Sequence, residues 1–191
     1  MIINSHWLEG ENVHMVGSPN RGDRFSPDTI VLHYTAGPSA ESAIRTLCNR
    51  DRKASAHLVV DTNGEVTQLI PFNVIAWHAG KSRHQNRVGL NQYSVGIEIV
   101  NAGRLRKNGA FYTSWFGKKY SPEEVFYGVH RNEQTATYWH EYTEEQIGAV
   151  QELCELLLSN YSMRYILGHE EISPGRKIDP GPAFPLDKIR N

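Results

Sequence analysis

Residues 168–182 are the stretch that most limits how this chain can fold. Proline and glycine recur through it, as Pro174-Gly175 and again as Pro180-Gly181-Pro182. Because proline lacks a backbone N–H and glycine weakens regular structure, this pattern excludes the interior of a helix or a strand. We therefore expect a loop of fixed shape, which suits a functional site better than a core.

This predicted loop carries His169, Lys177 and Asp179. His169 and Asp179 are candidate zinc ligands, and a third candidate is His33, which lies in the apolar run of residues 29–35. Two histidines and one carboxylate are a common ligand set for catalytic zinc, in which water takes the fourth position. Residue types and spacing alone leave a second interpretation open, because an isolated strand or loop histidine is more often structural.

Composition places the chain among soluble globular proteins of one domain. It has 191 residues, 39% of them hydrophobic and 21% charged, with a formal net charge of −1. Its Lys and Arg residues are scattered, which argues against a nucleic-acid partner. The first ten residues lack the features of a secretory signal, and no apolar run is long enough to span a bilayer, so we expect a cytoplasmic protein without a membrane partner. Nothing indicates an obligate protein partner.

Hydrophobic periodicity predicts a single α/β domain with a mixed central sheet flanked by helices. Alternation indicates strands, and a 3.6-residue repeat indicates helices. The Asn63-Gly64 pair marks a hairpin, and Thr143 with Gln146 forms a capping-box pattern. Cys48 and Cys154 fall in helical patterns and are interpreted as small buried hydrophobes. The predicted strands cover residues 29–35, 57–60, 66–70, 93–100 and 164–167, and the predicted helices cover residues 39–50 and 143–161.

Residues 103–140 are interpreted as an insertion within this domain. The segment is rich in aromatic residues and glycine and shows little periodicity. It could roof a cleft with Trp115 or Trp139 as a stacking surface, or it could pack on the far side as scaffold. We favour scaffold, because aromatic runs more often form core than ligand platforms.

Three further side chains have both a functional and a structural interpretation. Glu98 shares a strand face with Gly96 and is either a solvent-facing carboxylate or a proton acceptor at the wall of a site. His78, next to Trp77, either lines a cleft, ligates a metal or is a structural loop histidine. His57 opens a strand, and we interpret it as a core histidine that is hydrogen-bonded to the backbone.

At these residues the chain resembles the zinc-dependent N-acetylmuramoyl-L-alanine amidases of the phage-lysozyme and peptidoglycan-recognition superfamily. The branch that it resembles most contains the cytosolic recycling amidases, often called AmpD-like. The resemblance covers most of the chain outside residues 1–27 and 103–140. The matching pieces occur in family order and span residues 31–37, 54–58, 61–71, 76–80, 91–100 and 168–184.

The resemblance implies a role for each matching residue. His33, His169 and Asp179 occupy the zinc-ligand positions, Glu98 the position for proton transfer, and Lys177 the position beside the reacting carbonyl. In the phage-lysozyme branch a tyrosine has a role comparable to that of the glutamate.

In this chain Ala56 occupies the position of that tyrosine, so the resemblance implies that Glu98 carries out the proton transfer. His78, with its neighbour Trp77, corresponds to a cleft position near the substrate. The implied cofactor is Zn²⁺, and the implied substrate is peptidoglycan or a soluble muropeptide.

Three functions are consistent with this resemblance. The first is an enzyme of cell-wall recycling, which cleaves the amide bond between N-acetylmuramic acid and L-alanine in soluble fragments. The second is a phage-type endolysin, made in the cytosol and released at lysis. The third is a peptidoglycan-recognition module that binds without cutting. The third ranks last, because such modules typically lose a zinc ligand and this chain keeps all three.

Overall fold

Strands dominate the protein, whose computed structural model describes residues 1–190. In chain order these strands are β1 (Ile2–Asn4), β2 (Trp7–Glu9), β3 (Val13–Met15), β4 (Arg21–Arg24), β5 (Thr29–Tyr34), β6 (Leu58–Val60), β7 (Val66–Gln68), β8 (Val74–Ala76), β9 (Arg83–His84), β10 (Arg87–Val88), β11 (Ser94–Ile99), β12 (Arg104–Asn108), β13 (Phe111–Thr113), β14 (Lys119–Tyr120), β15 (Val125–Val129), β16 (Ala136–His140) and β17 (Tyr165–Gly168). The helices are α1 (Ala40–Leu47), α2 (Glu144–Asn160), α3 (His169–Ile172) and α4 (Leu186–Ile189), and 3₁₀ turns lie at Arg50–Arg52, Leu90–Gln92 and Pro122–Glu124.

The central sheet is six-stranded and mixed, in the order β17-β5-β11-β6-β7-β3. Strands β17, β5, β11 and β6 run parallel to one another. Strand β7 pairs antiparallel with β6, and β3 pairs parallel with β7. The predicted α/β class with a mixed central sheet is therefore confirmed.

The two faces of this sheet bury different kinds of side chain. On one face, residues that alternate along β5 and β11, such as Leu32 and Ile97, join the main core together with Val150 and Leu153 of α2. Side chains alternate across a strand, so the intervening residues occupy the opposite face. Helix α1 packs on this second side of the sheet, which carries both apolar residues and the polar residues of the site.

The elements with strong local signals form as predicted. Helix α2 begins after Thr143, whose hydroxyl accepts from the backbone N–H of Gln146 in the expected capping box. Strands β6 and β7 form the predicted hairpin, and Gly64 takes φ +80° in its turn. The predicted helix of residues 39–50 is shorter than expected, because Cys48 caps α1 at its C-terminus.

Residues 103–140 contain all the strands of a second, five-stranded sheet in the order β14-β13-β12-β16-β15. Tyr120 and Trp139 are almost fully buried in it. The burial of these two aromatic side chains agrees with the scaffold interpretation, which stays a prediction. Trp115 differs, because 76% of its surface is exposed.

The C-terminal segment corrects one expectation. Residues 168–182 were expected to be loop throughout, yet residues His169–Ile172 form the one-turn helix α3. The reason is local, since the Glu171 carboxylate accepts from the N–H of Gly168 and closes the first turn before Pro174 is reached. None of the helices within residues 1–190 combines the length and the apolar character that a membrane crossing requires.

Candidate metal centre and catalytic cleft

His33, His169 and Asp179 converge at one end of the parallel strands. His33 lies near the C-terminal end of β5, and His169 follows directly after the neighbouring strand β17. Nδ1 of His33 lies 2.9 Å from Nδ1 of His169 and 3.1 Å from Oδ2 of Asp179, and the His169–Asp179 distance is 2.9 Å. All three side chains are buried. The structure thus brings together the three predicted ligands.

In His33 and His169, Nδ1 faces the cluster and Nε2, the outer nitrogen, points away from it. The hydrogen bond made by each outer nitrogen determines whether Nδ1 carries a lone pair. Nε2 of His169 lies 3.1 Å from the carbonyl oxygen of Ala79, which can only accept, so a neutral ring that donates to Ala79 has an unprotonated Nδ1. Nη2 of Arg176 is 3.3 Å from the same nitrogen but has closer acceptors in the carbonyl oxygens of Ala79 and Lys81.

Nε2 of His78 faces the carbonyl oxygen of Ser94 at 3.3 Å and therefore donates to it. Nδ1 of His78 then accepts from Nε2 of His33 at 2.9 Å, which leaves a lone pair on Nδ1 of His33.

This donor set fits a metal cation. Two imidazole lone pairs and one carboxylate oxygen lie within 4.8 Å of one another, and these are ligand types that zinc accepts. Burial lowers the pKa of His33 to about 4, which keeps this ring neutral. Burial alone would raise the pKa of Asp179, but the neighbouring His169 and His33 rings hold it below its usual range. A neutral imidazole and an ionised carboxylate are the forms that bind metal.

Glu98 lies beside this group on β11. It is paired in register with His33 of β5, so the two side chains leave the sheet on the same face. Its Oε2 atom is buried without a hydrogen-bond partner. The pKa of Glu98 is well above its usual value, because burial and the nearby Asp179 charge disfavour the carboxylate, while Lys177 acts in the opposite direction. Such an unsatisfied carboxyl can take up or release a proton.

Lys177 is half-buried in the loop between Pro174 and Asp179. Its positive charge acts to lower the pKa of both His33 and Glu98. Trp77 and His78 follow β8 and are partly exposed. The backbone N–H groups of His78 and Ala79 both donate to Oδ1 of Asn91. The structure therefore places His78 and Glu98 beside the cluster and Trp77 next to His78 in the chain, while the catalytic, metal-binding and substrate-binding roles of the predicted site residues stay predictions.

His57 has the structural role that its position predicted. It is fully buried, Nε2 donates to the carbonyl oxygen of Val74 at 2.9 Å, and Nδ1 accepts from Gly96 at 3.0 Å. Burial lowers the pKa of His57 to about 4. This ring supports the strand β11 next to the site.

Sequence reasoning missed a buried pair that holds the candidate ligand loop. Nε2 of His130, from the 103–140 segment, donates to Glu170 at 2.7 Å. Glu170 also accepts from the N–H of Gly181 at 3.1 Å and pairs with Arg131 at 3.2 Å. The indole of Trp139 adds to this contact, because it stacks on the His130 ring with 5.7 Å between the ring centroids. No local pattern around His130 could have indicated this partner, because 40 residues separate it from Glu170.

Fold and site together define an α/β protein with a buried, metal-compatible centre beside a carboxyl group that can transfer a proton. The comparison with protein families identifies the family. Residues 23–182 match Amidase_2, N-acetylmuramoyl-L-alanine amidase, and the chain belongs to this family. The family resemblance that the sequence motifs indicated is thereby confirmed.

Individual relatives agree with this assignment. The chain is 26% identical to 1,6-anhydro-N-acetylmuramyl-L-alanine amidase AmpD of Escherichia coli K12, over 100% of this chain and 96% of that protein. A crystal structure of a selenomethionine AmpD derivative has the same fold, with a TM-score of 0.71, 24% identity and coverage of 100% and 98% of the two chains. The amidase AmiD from E. coli, solved with anhydro-N-acetylmuramic acid-L-Ala-D-γ-Glu-L-Lys, gives a TM-score of 0.63 at 28% identity, over 91% of this chain and 58% of that one.

Proposed function

We propose that this protein hydrolyses the amide bond between N-acetylmuramic acid and L-alanine in soluble muropeptides, as a zinc enzyme of cytoplasmic cell-wall recycling. The observation that carries the proposal is the buried triangle of His33, His169 and Asp179 beside an unpartnered Glu98 oxygen. Family membership supplies the reaction class. The substrates named for AmpD and AmiD supply the substrate class.

His33, His169 and Asp179 would hold the zinc ion. Bound there, zinc supplies Lewis-acid activation of water and of the scissile carbonyl. The chain's own contribution is orientation, because the outer nitrogens of both histidines are already committed to hydrogen bonds. Fixed outer contacts of this kind set the tautomer and the direction of the ligand ring.

Glu98 and Lys177 divide the remaining chemistry between them. Glu98 takes the proton of the attacking water and returns it to the amine of the leaving L-alanine, and its raised pKa suits both directions of transfer. Lys177 holds a positive charge near the reacting carbonyl, where negative charge develops on the oxygen. Trp77 and His78 are proposed to contact the muropeptide at the rim of the cleft.

The test is a mass-spectrometric digest of two substrates in parallel, with and without a chelator. One substrate is a soluble anhydro-muropeptide and the other is intact sacculi. Chelator-sensitive release of peptide from the soluble fragment alone is the expected result. Efficient release from sacculi would favour an endolysin, and the absence of cleavage with the metal site filled would favour a recognition module.

A further inference from the structure

Four exposed cationic side chains lie on the part of the second sheet that β12, β13 and β14 form. They are Arg106 and Lys107 of β12, Lys119 of β14, and Lys118 directly before β14. Residues 103–120 hold five of the chain's 20 Lys and Arg residues and no Asp or Glu, although the whole chain has a net charge of −1. Antiparallel pairing therefore brings together charges that lie apart in the sequence.

The strand register places two of these cations on one side of the sheet, together with an aromatic ring. Arg106 and Lys119 are each paired in register with Thr113 of β13, so their side chains leave the sheet on the same side. Phe111 lies two residues before Thr113 and therefore shares that side. Nζ of Lys119 is 5.7 Å from the centre of the Phe111 ring. We call Arg106, Phe111, Thr113 and Lys119 the basic face.

The charges of the basic face are not neutralised within the protein. In the part of the chain that the structure describes, neither Arg106 nor Lys119 forms an ion pair with a carboxylate. Arg104, two residues before Arg106, differs, because Glu133 accepts two hydrogen bonds of 2.7 Å from it. The ring of Phe111 is 49% exposed. Two unpaired cations and an exposed ring are thus available to a partner of opposite charge.

The opposite side of the same strands has a structural role. Tyr112 and Tyr120 pack there with Leu105 in a separate apolar cluster. Lys107 is in register with Tyr112, and Nζ of Lys118 lies 5.0 Å from the centre of the Tyr120 ring. Each side of these strands therefore carries two cations, and only the basic face combines them with an exposed ring.

An anionic lipid surface fits this combination. Acidic headgroups attract Lys and Arg that lie close to a bilayer, and an exposed aromatic ring enters the boundary between headgroups and acyl chains. A nucleic acid is held by many phosphate contacts, whereas the basic face offers two cations. A soluble polyanion of any other kind would leave the ring of Phe111 in water.

We propose that the basic face binds anionic membrane surfaces, with Arg106 and Lys119 at the acidic headgroups and Phe111 in the interface. The contact is peripheral and reversible, so it requires no membrane-crossing segment. Binding is weak and sensitive to salt, because two charges and one ring carry it. The contact goes beyond the proposed hydrolytic function and does not depend on it.

The experiment measures partition of the full-length protein onto vesicles by sedimentation. The vesicles consist of phosphatidylcholine alone or of phosphatidylcholine mixed with acidic phosphatidylglycerol. We expect binding to the acidic vesicles only, at least about tenfold weaker in 0.5 M than in 0.1 M salt. Arg106→Gln, Lys119→Gln and Phe111→Ala should each weaken partition about fivefold.

The opposite side of the same strands supplies matched controls. Lys107→Gln and Lys118→Gln each remove one exposed cation there, and each should change partition by less than about twofold, because the added distance and salt screen these charges. Tyr127→Ala removes an aromatic side chain that is 61% exposed on β15 and should also have little effect. Thermal unfolding of each variant checks that the fold is intact.

Equal losses from the two sides of the sheet would overturn the proposal, as would undiminished binding by a variant that combines all three substitutions of the basic face. A wild-type protein that ignores acidic vesicles would overturn it too, including one that binds single-stranded DNA or polyphosphate through the same residues. Hydrolysis of soluble anhydro-muropeptide is measured separately on the same preparations. Its absence in a wild-type protein that binds acidic vesicles through the basic face would refute the proposed reaction and leave the membrane contact standing.

Discussion

The imidazole of His78 controls which nitrogen of His33 faces the candidate metal ligands. Its Nδ1 accepts from Nε2 of His33 at 2.9 Å, and its Nε2 is directed at Ser94. The ring lies directly against β11, since a Cβ at Gly96 would come within 2.4 Å of it. Glycine at position 96 therefore makes room for the histidine that orients His33.

We predict that His78→Leu lowers zinc affinity about 10- to 100-fold, because His33 loses the acceptor that fixes its tautomer. Asparagine keeps an acceptor oxygen close to the position of Nδ1, so His78→Asn should lose much less. Competition with a chelating dye measures both affinities, and imidazole ¹⁵N shifts in the metal-free protein report the tautomer of His33. Equal affinities in wild type and His78→Leu would show that the contact does not position the ligand.

Removal of Glu98 or Lys177 should separate catalysis from metal binding. We expect Glu98→Ala and Lys177→Ala to lower turnover at least ~100-fold with zinc content intact, because each removes one group that acts on the reacting atoms. His33→Ala should lose both metal and activity. Metal analysis and single-turnover rates on the same preparations distinguish these outcomes. A near-normal rate in either of the first two variants would remove that residue from the mechanism.

Among the structural elements, the second sheet fixes the loop that carries two of the candidate ligands. His130 follows β15 and reaches Glu170 in α3, next to His169. Trp139 of β16 lies against Gly181, where a Cβ would come within 3.0 Å of the indole ring. The same loop is also held by the hydroxyl of Tyr142, which donates to the carbonyl oxygen of Pro180 at 2.7 Å.

We predict that His130→Leu lowers the free energy of unfolding by about 1–3 kcal/mol, because it leaves the buried Glu170 carboxylate without its shortest hydrogen bond. Glutamine can donate from the position of the His130 Nε2 atom, so His130→Gln should retain most of that stability. Urea unfolding of metal-free protein measures the difference without any contribution from zinc. If both variants lose the same amount, ring packing against Trp139 rather than the hydrogen bond stabilises the loop.

Elements with local signals were predictable, and elements that depend on distant partners were not. Strands β5 and β11 and helix α2 were recognisable because alternation, helical spacing and the Thr143 cap are all encoded within a few residues. Strands β12 to β16 escaped prediction because their polar and aromatic residues follow no clean alternation and pair mainly with one another. For the site, the sequence supplied candidates such as His33 and His169. Their convergence depends on the parallel pairing of β5 with β17, which spacing alone does not encode.

On the scale of the whole molecule, the central sheet depends on a histidine that must remain neutral. His57 is fully buried, with the rings of Phe25, Phe72 and His78 around it. Both of its nitrogens are used, one as donor and one as acceptor, which only the neutral ring allows. Acid should therefore weaken the fold through this residue.

The direction of this pH dependence follows from the pKa of His57, which burial lowers from 6.5 to about 4. Between these two values the unfolded chain binds a proton that the folded chain does not, so stability rises with pH across the window and is constant above it. Across this window the unfolding free energy changes by about 1.4 kcal/mol per pH unit, and His57 contributes about 3 kcal/mol in full. His57→Asn cannot titrate, so in chelator-treated protein its unfolding free energy should fall less steeply than that of the wild type between pH 6.5 and 4. The offset from lost hydrogen bonds is the same at every pH, so only the slopes matter, and parallel slopes would mean that His57 is not the residue that couples acid to unfolding.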